Sequence, residues 1–307
     1  MDRFLKILVQ DLSRYVAIAE EFPNNAPEKI KSGGLMHDRR VARIVTPGTL
    51  IDENFMDPYA NNYVMAIHVD DSSRELDPRD REEGQRPVDQ APRNRVSPGA
   101  ADVPIAPSNH PSLGLAWLDL STGHFCTQST DLPSLPSILS RVGPREVVLD
   151  EALQLRKDEF LLSTLAEDRY LVSYASVGER SLELEDWTPM LESEIPPDAR
   201  QAFTCNEVTA GSLLLSYVKG RLQGENMKLQ PPLRHENMHI MNIDKNTVRA
   251  LEIKQTIRDG HFRGSLLHAI RRTVTKSGAR LLNEWLSAWT KFPSLLSKTY
   301  KSSIHRN

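Results

Sequence analysis

The sequence predicts an α/β domain followed by an α-helical one (α/β plus α). Apolar, β-branched runs at 62–70 and 113–121 predict two strands, and further strands then alternate with helices up to residue 175. Beyond residue 203 the apolar residues recur at helical spacing behind clear capping signals. The chain is therefore predicted to change from a sheet to helices near residue 203.

The first residues are predicted to form a short helix and then a strand. The sequence VAIAEEF, which follows the helix, favours the strand. The helix is predicted over residues 4–18 because its apolar side chains lie three or four positions apart. These side chains are Phe4, Leu5, Leu8, Leu12 and Tyr15. The piece is too small to form a domain on its own.

The central part of the chain has the element order of a mixed sheet. A turn at 121–123 separates the second strand from a third, HFCTQST. Asp131 is predicted to cap a helix that ends at Gly143-Pro144. The segments REVVLD and RYLVSYA predict two more strands, on either side of a helix over 151–167. The order of three strands, helix, strand, helix, strand predicts an RNase H-like mixed sheet covered by helices.

Two stretches lack the apolar residues of a folded core. Residues 72–110 alternate Arg with Asp and Glu, are rich in proline and contain no aromatic residue, which predicts a disordered insertion. Residues 176–202 are polar and contain proline, which predicts a linker or a weakly helical connection. Both stretches therefore separate folded segments in the prediction.

The C-terminal third has several helix signals. Thr204 and Glu207 match a capping box, and Asp244 is predicted to cap a later helix. Between these helices, the segment 230–242 contains two prolines and is predicted to be extended. A last helix is predicted to begin near Ser265. Its apolar stripe consists of Leu267, Ile270, Val274, Leu281, Leu282 and Trp285.

Composition excludes some functional classes. The 307 residues carry a formal net charge of −3, whereas free-standing nucleic-acid binders usually have a basic excess. Cys126 and Cys205 fit no disulfide or metal spacing. No apolar run reaches the roughly 18 residues that span a bilayer, so no membrane partner is expected. The acidic Asp2 and Asp11 argue against a targeting peptide at the N-terminus.

One short motif suggests a zinc hydrolase. His235, Glu236 and His239 match HExxH, in which two histidines one helical turn apart hold zinc and the glutamate acts as general base. This chemistry needs a helix, but Pro231-Pro232 lies just upstream. In an extended segment the two histidines would lie about 13 Å apart and could not share an ion. A chance match is therefore expected.

A second alternative is a metal-dependent nuclease. Nucleases with an RNase H-like fold clamp two divalent ions between acids at strand ends. Asp119 on the second sheet strand, with Asp150 and Glu151 after the fourth, supplies enough carboxylates in principle. Strand ends also carry acids for solubility and for helix capping, and this structural role is the preferred interpretation.

Basic residues near the C-terminus are the candidate DNA contacts. Of these, Arg271, Arg272 and Lys276 are selected, although an exposed basic helix face is usually only solvated. The wider cluster also contains Arg258, Arg263 and Arg280. The sequence has no GxxxxGK[ST] motif, so no phosphate-cradling loop of that kind is predicted.

Four segments resemble the MutS family of DNA mismatch repair proteins, in the order in which the family has them. They are RIVTPGTLIDENFMDPYANNYVMAI (43–67), GLAWLDLSTGHF (114–125), VGPREVVLDE (142–151) and MHIMNIDKNTVRALEIKQTIRDGHFRGSLLHAIRRTVTKSGARLLNEWL (238–286). In detail the chain is most similar to fungal mitochondrial MutS homologues. The resemblance therefore implies mitochondrial localisation, with a nuclear location as the alternative.

The resemblance implies five segments. They are a C-terminal remnant of the mismatch-binding domain (1–42), a connector domain (43–175) with its insertion at about 72–110, a linker (176–202), the start of the core and lever region (203–286) and a divergent tail (287–307). The chain is accordingly expected to be an internal part of a longer protein.

The resemblance also implies a function for that longer protein. MutS proteins dimerise around mismatched DNA, as homodimers or with a MutS-homologue partner, and signal through a DNA-dependent ATPase that uses ATP and Mg²⁺. Their reader inserts a Phe-x-Glu wedge at the mispair, and this tripeptide is absent from the sequence. The chain itself is therefore expected to have no enzymatic activity, no cofactor and no metal, and to bind DNA weakly at most.

Overall fold

A computed structural model describes residues 2–23, 37–51, 61–70, 111–156, 159–176, 183–223, 228–235 and 243–287. The predicted insertion at 72–110 and the tail beyond Ser287 lie outside the described residues.

A mixed sheet forms the centre of the described chain, as the sequence predicted, and it has six strands instead of the five predicted. Its strands are β3 (Val64–Val69), β4 (Ser112–Asp119), β5 (His124–Asp131), β6 (Glu146–Asp150), β7 (Leu171–Ala175) and β8 (Leu233–Arg234). They lie in the order β7-β6-β3-β4-β5-β8. The strands β3, β4 and β5 are antiparallel neighbours, whereas β6 and β7 continue parallel to β3 and β8 is parallel to β5. The two residues of β8 come from the segment predicted to be extended.

Helices cover both faces of this sheet. The helices of one face are α2 (Leu135–Val142), α3 (Glu151–Arg156) and α4 (Glu159–Glu167), and the other face packs on α6 (Cys205–Leu222). Successive strand residues point to opposite faces, so Val64 and Ala66 contact the α6 side while Met65 and Ile67 contact the α2 side. Burial on both faces explains why the strands are almost continuously apolar.

The helix ends around the sheet agree with the capping predictions. The Asp131 side chain accepts a hydrogen bond from Ser134 N, and Gly143 ends α2 in the left-handed conformation (φ 62°). Thr204 and Glu207 form the predicted capping box at the start of α6. Asp131 therefore caps the 3₁₀ turn (Leu132–Ser134) that leads into α2, Gly143 ends α2, and Thr204 begins α6.

The predicted division at residue 203 does not coincide with a break in the packing. Helix α6 lies beyond that boundary, yet its buried side chains share one core with β3, β4, β5 and β6. The preceding stretch also contributes to this core, because Trp187 lies in a 3₁₀ helix (Leu184–Met190) and is only 1% exposed. A short helix, α5 (Pro197–Arg200), then leads to α6.

The N-terminal helix is shorter than predicted. Helix α1 (Asp2–Lys6) continues as a π-helical turn (Ile7–Asp11), and the helical backbone ends there instead of at residue 18. Ser13 has a positive φ of 49°, which no helix tolerates. An antiparallel pair follows, formed by β1 (Val16–Pro23) and β2 (His37–Val45), so the predicted VAIAEEF strand is confirmed.

Residues 243–287 form three short helices beside the α2 face. They are α7 (Lys245–Ala250), α8 (Leu266–Ile270) and α9 (Lys276–Ser287). The cap of α7 by Asp244 is confirmed, whereas the single helix predicted from Ser265 is wrong. Residues 271–275 interrupt it, and Val274 is fully exposed instead of lying on the apolar stripe. Thr275 accepts a hydrogen bond from Gly278 N and starts a new helix.

Candidate functional site

Asp119 has a structural role. Its carboxylate is buried and accepts hydrogen bonds from Asn62 N (3.0 Å), Ser121 N (2.9 Å) and Ser121 Oγ (2.6 Å). These donors fix the turn after β4 and the chain entering β3. A carboxylate with these partners is already satisfied without a metal ion.

The other two acids of the nuclease hypothesis lie at the opposite end of the sheet. Asp119 follows Leu118, which pairs with Val64, whereas Asp150 lies beyond the other end of the β3–β6 pairing. The register separates the two acids by about 16 Å along the strands. Asp150 instead accepts a hydrogen bond from Ala152 N at the start of α3, where Glu151 is exposed. A two-metal site needs its ions about 4 Å apart, so the predicted trio cannot form one.

The HExxH match begins at the end of a strand. His235 follows β8, and its backbone N–H donates to Thr127 O (2.8 Å), so its backbone continues the sheet. Glu236 and His239 lie outside the described residues. Elsewhere in the described chain, no group of three or more His, Cys, Asp or Glu side chains could hold a metal ion.

Glu146 forms a buried polar centre that sequence reasoning missed. It is fully buried and accepts hydrogen bonds from Thr46 Oγ1 (2.5 Å), Gly48 N (3.1 Å), Ser173 Oγ (2.5 Å) and Tyr217 Oη (2.5 Å). These partners come from the segment after β2, from β7 and from α6. Burial, followed by the nearby Glu146 charge, raises the pKa of Tyr217, so this phenol remains a hydrogen-bond donor. The centre therefore joins three parts of the fold.

A second polar centre joins the sheet domain to the C-terminal helices. Lys254 Nζ donates to Ser140 O and Arg141 O, both at 3.0 Å, at the C-terminal end of α2. The free carbonyl groups at the C-terminal end of a helix attract a cation, which explains why the ammonium group of Lys254 lies there. Burial, together with the nearby Arg141 charge, lowers the pKa of Lys254 to about 8. Lys254 thus fixes residues 243–287 against α2.

His235 lies beside the same junction. Its ring is 5.2 Å from the Trp117 ring, and its Nε2 atom is buried with no hydrogen-bond partner among the described residues. Burial, followed by the charges of Arg141 and His124, lowers the pKa of His235 to about 3. The imidazole is therefore neutral in the folded chain.

Acidification is expected to destabilise the fold through His235. Between pH 6.5 and pH 3 the unfolded histidine binds a proton that the folded one excludes, so stability falls as the pH falls. The shift predicts a loss of about 2 kcal/mol between pH 7.5 and pH 5. Urea unfolding of His235→Phe should show a flatter pH dependence than the parent, whereas His261→Phe, at an exposed position, should not. Equal slopes in all three proteins would contradict the assignment.

The candidate DNA contacts lie in and beside the break between α8 and α9. Arg271 packs over the Phe262 ring, 4.6 Å from its centroid, and faces the junction. Arg272 is exposed within the break between α8 and α9, and Lys276 is exposed at the start of α9. Arg280 is largely buried, at 8% exposure. Contact between DNA and Arg271, Arg272 or Lys276 stays a prediction.

Two family models match the chain, in the family's own order. The model of MutS domain II matches residues 100–186, and that of MutS domain III matches residues 246–288. Proteins called DNA mismatch repair protein MutS are similar over nearly the whole chain. The one from Bradyrhizobium sp. (strain ORS 278) is 29% identical over 92% of the chain, and one from Rhodopseudomonas palustris (strain BisA53) is 30% identical over 94%.

The chain belongs to the MutS family. It spans about a quarter of the length of these relatives, since the alignments cover 27% of each. The zinc hydrolase and nuclease hypotheses find no support in these similarities, in agreement with the geometry of Asp119 and His235.

The MutS domains can be placed on the structure. The domain II match begins before β4 and ends within the 3₁₀ helix that carries Trp187, and the domain III match covers α7, α8 and α9. The bonds from Lys254 to α2 therefore connect domain III to domain II. Helix α6 lies between the two matches and packs on the sheet of domain II.

The sequence has no GxxxxGK[ST] loop, and no cluster of potential metal ligands occurs in the described part. No helix within the described residues is long and apolar enough to cross a membrane.

Proposed function

We propose that this MutS-family chain acts in DNA mismatch repair as part of a protein that binds mismatched DNA and signals through ATP and Mg²⁺. The ordered match to MutS domains II and III carries the proposal. The whole protein is a DNA-dependent ATPase in this proposal, and its ATP site belongs to a region other than these residues. Its partners are mismatched duplex DNA and a second MutS subunit.

Within that protein, the chain's own part is to transmit conformational change between domains. A coupling element needs packed contacts that move together. Glu146 supplies one such contact, between the sheet, the segment after β2 and α6, and Lys254 supplies another, between domains II and III. Neither site has the chemistry of a nuclease or of a zinc hydrolase.

Loss of the gene is expected to raise the mutation rate. Replication errors that escape repair would accumulate in the genome that the protein serves. We propose the mitochondrion, on the likeness to fungal mitochondrial homologues, with the nucleus as the alternative. Mutation rates at a mitochondrial and a nuclear reporter in a disruption strain distinguish the two locations. Wild-type rates at both reporters would contradict the repair role.

The chain alone is expected to bind DNA weakly and without selectivity. Its formal net charge is −3, and it carries no Phe-x-Glu wedge. Fluorescence anisotropy with a matched duplex and with the same duplex carrying a G·T mispair should give dissociation constants above about 1 μM that agree within about twofold. Tight binding that prefers the mispair would contradict the proposal that this chain alone does not recognise mismatches.

A further inference from the structure

A cavity of about 990 Å³ lies at the junction between domains II and III. Its walls include Trp117 on β4, Arg141 at the end of α2, His235 after β8, Lys254 after α7, and Asn283 on α9. Ligand pockets usually have volumes of about 300–1,000 Å³, so a small organic molecule fits with room for water.

The charged groups around this cavity are mainly cationic. Its acids are Asp168 and Glu284, and Asp168 already forms an ion pair with Lys245 at 2.5 Å. Its cations are Arg141, Arg145, Lys245, Arg249, Lys254 and Arg271. The chain as a whole carries a net negative charge, so this local excess of cations is specific to the junction.

Lys254 and Arg141 both lie at the C-terminal end of α2. Lys254 Nζ donates to the main-chain oxygen of Arg141, and the Arg141 side chain donates to Gln128. Neither forms an ion pair with a carboxylate of the described residues, and Glu284 acts on Arg141 only at longer range. Burial lowers the pKa of both groups, as expected where cations are desolvated without a close anion. An oxyanion in the cavity would accept charge-assisted hydrogen bonds from such groups.

Two polar atoms in the same wall also lack partners. His235 Nε2 and Asn283 Oδ1 are buried, and neither has a hydrogen bond among the described residues. The amide oxygen of Asn283 only accepts, so an N–H or O–H group of a ligand can satisfy it. A buried acceptor without a donor costs about 1–3 kcal/mol, which a ligand hydroxyl would recover.

We propose that this cavity binds a small phosphate ester that carries hydroxyl groups, as a sugar phosphate does. Its phosphoryl group lies against Lys254 and Arg141, and a hydroxyl group donates to Asn283. Because both MutS domains line the cavity, the bound molecule stabilises their contact. This site is independent of the DNA-repair proposal, since it requires neither DNA nor a second subunit.

Isothermal titration of the 307-residue chain tests the site with ribose 5-phosphate, inorganic phosphate and uncharged ribose. Ribose 5-phosphate is expected to bind more tightly than inorganic phosphate, and ribose to bind at least tenfold more weakly, as about 1.4 kcal/mol per charged hydrogen bond predicts. Lys254→Gln should weaken both phosphates about tenfold. Asn283→Ala should weaken ribose 5-phosphate alone, because inorganic phosphate makes no use of the amide.

Lys219→Gln, at an exposed position on α6, is the matched control and should bind like the parent. Circular dichroism of each variant identifies any that fails to fold, and Asn283→Ala tests the site if Lys254→Gln does not fold. No heat from either phosphate at up to about 10 mM overturns the proposal. Equal binding of ribose and ribose 5-phosphate, or displacement of ribose 5-phosphate by duplex DNA, overturns it as well. None of these outcomes bears on the proposal that the whole protein binds mismatched DNA.

Discussion

Replacing Gly114 by alanine is expected to destabilise the chain by about 4 kcal/mol, because the new methyl group overlaps the backbone of α6. A Cβ atom at Gly114 would lie 1.9 Å from Asn206 O and 2.2 Å from Asn206 C. No side-chain rotation relieves this overlap, since the obstructing atoms belong to the first turn of a helix. Either α6 must move away from β4, or the strand must bend, and both changes open the core.

Gly220→Ala is the matched control for this substitution. Gly220 lies in α6, and a Cβ atom there would meet nothing within 4 Å. Alanine has the higher helix propensity, so this variant should be about 0.5–1 kcal/mol more stable than the parent. Urea unfolding measures both changes. A Gly114→Ala variant as stable as the parent would mean that α6 does not pack on β4 in solution.

Gly114 also shows how far the sequence could predict the fold. The GLAWLDLSTGHF motif predicts a strand and a turn, and both are present as β4 and the 121–123 turn. The motif does not indicate that its first glycine is the point of closest approach to a helix more than 90 residues later. Local periodicity and capping depend on neighbouring residues, so they can be predicted from them. Contacts between distant segments cannot be predicted in this way.

The polar centres at Glu146 and Lys254 were missed for the same reason, because their partners lie far away in the sequence. Glu146 opens a strand in REVVLD, where an acid is ordinarily solvated, yet its partner Thr46 lies 100 residues earlier. Lys254 resembles any charged residue of an exposed segment, but its ammonium group lies on carbonyl groups 113 and 114 positions away. The carboxylate selected as a candidate, Asp119, has a local structural role instead. Residue type alone did not distinguish charged residues that join distant segments from those with a local structural role.

Trp187 lies in a stretch that the sequence predicts to be a linker or a weakly helical connection, and its burial was not predicted. Prolines and acids surround Trp187, so the average composition of this stretch is polar although the indole has a large apolar surface. The indole packs against Phe125 and donates to Ser212 Oγ (3.0 Å), while Gly211 leaves room for its ring. A lone tryptophan in a polar segment is therefore a better sign of burial than the mean hydropathy around it.

Replacing Glu207 by alanine is expected to cost about 4 kcal/mol, because one buried carboxylate serves two structural roles. Its Oε2 atom accepts from Thr204 N (2.9 Å) and closes the capping box of α6. The same carboxylate is 0% exposed and accepts from Arg234 Nε at 3.0–3.1 Å, which links α6 to β8. Alanine removes the cap and leaves a partly buried guanidinium without this anion.

Two further variants separate these roles. Arg234→Ala should cost about 1–2 kcal/mol, and Glu207→Ala/Arg234→Ala should be more stable than the sum of the single changes predicts, because both single changes remove the same ion pair. Glu192→Ala, at an exposed position, should change the free energy of unfolding by less than about 0.5 kcal/mol. Strict additivity of the two single changes, measured by urea unfolding, would show that Arg234 and Glu207 act independently.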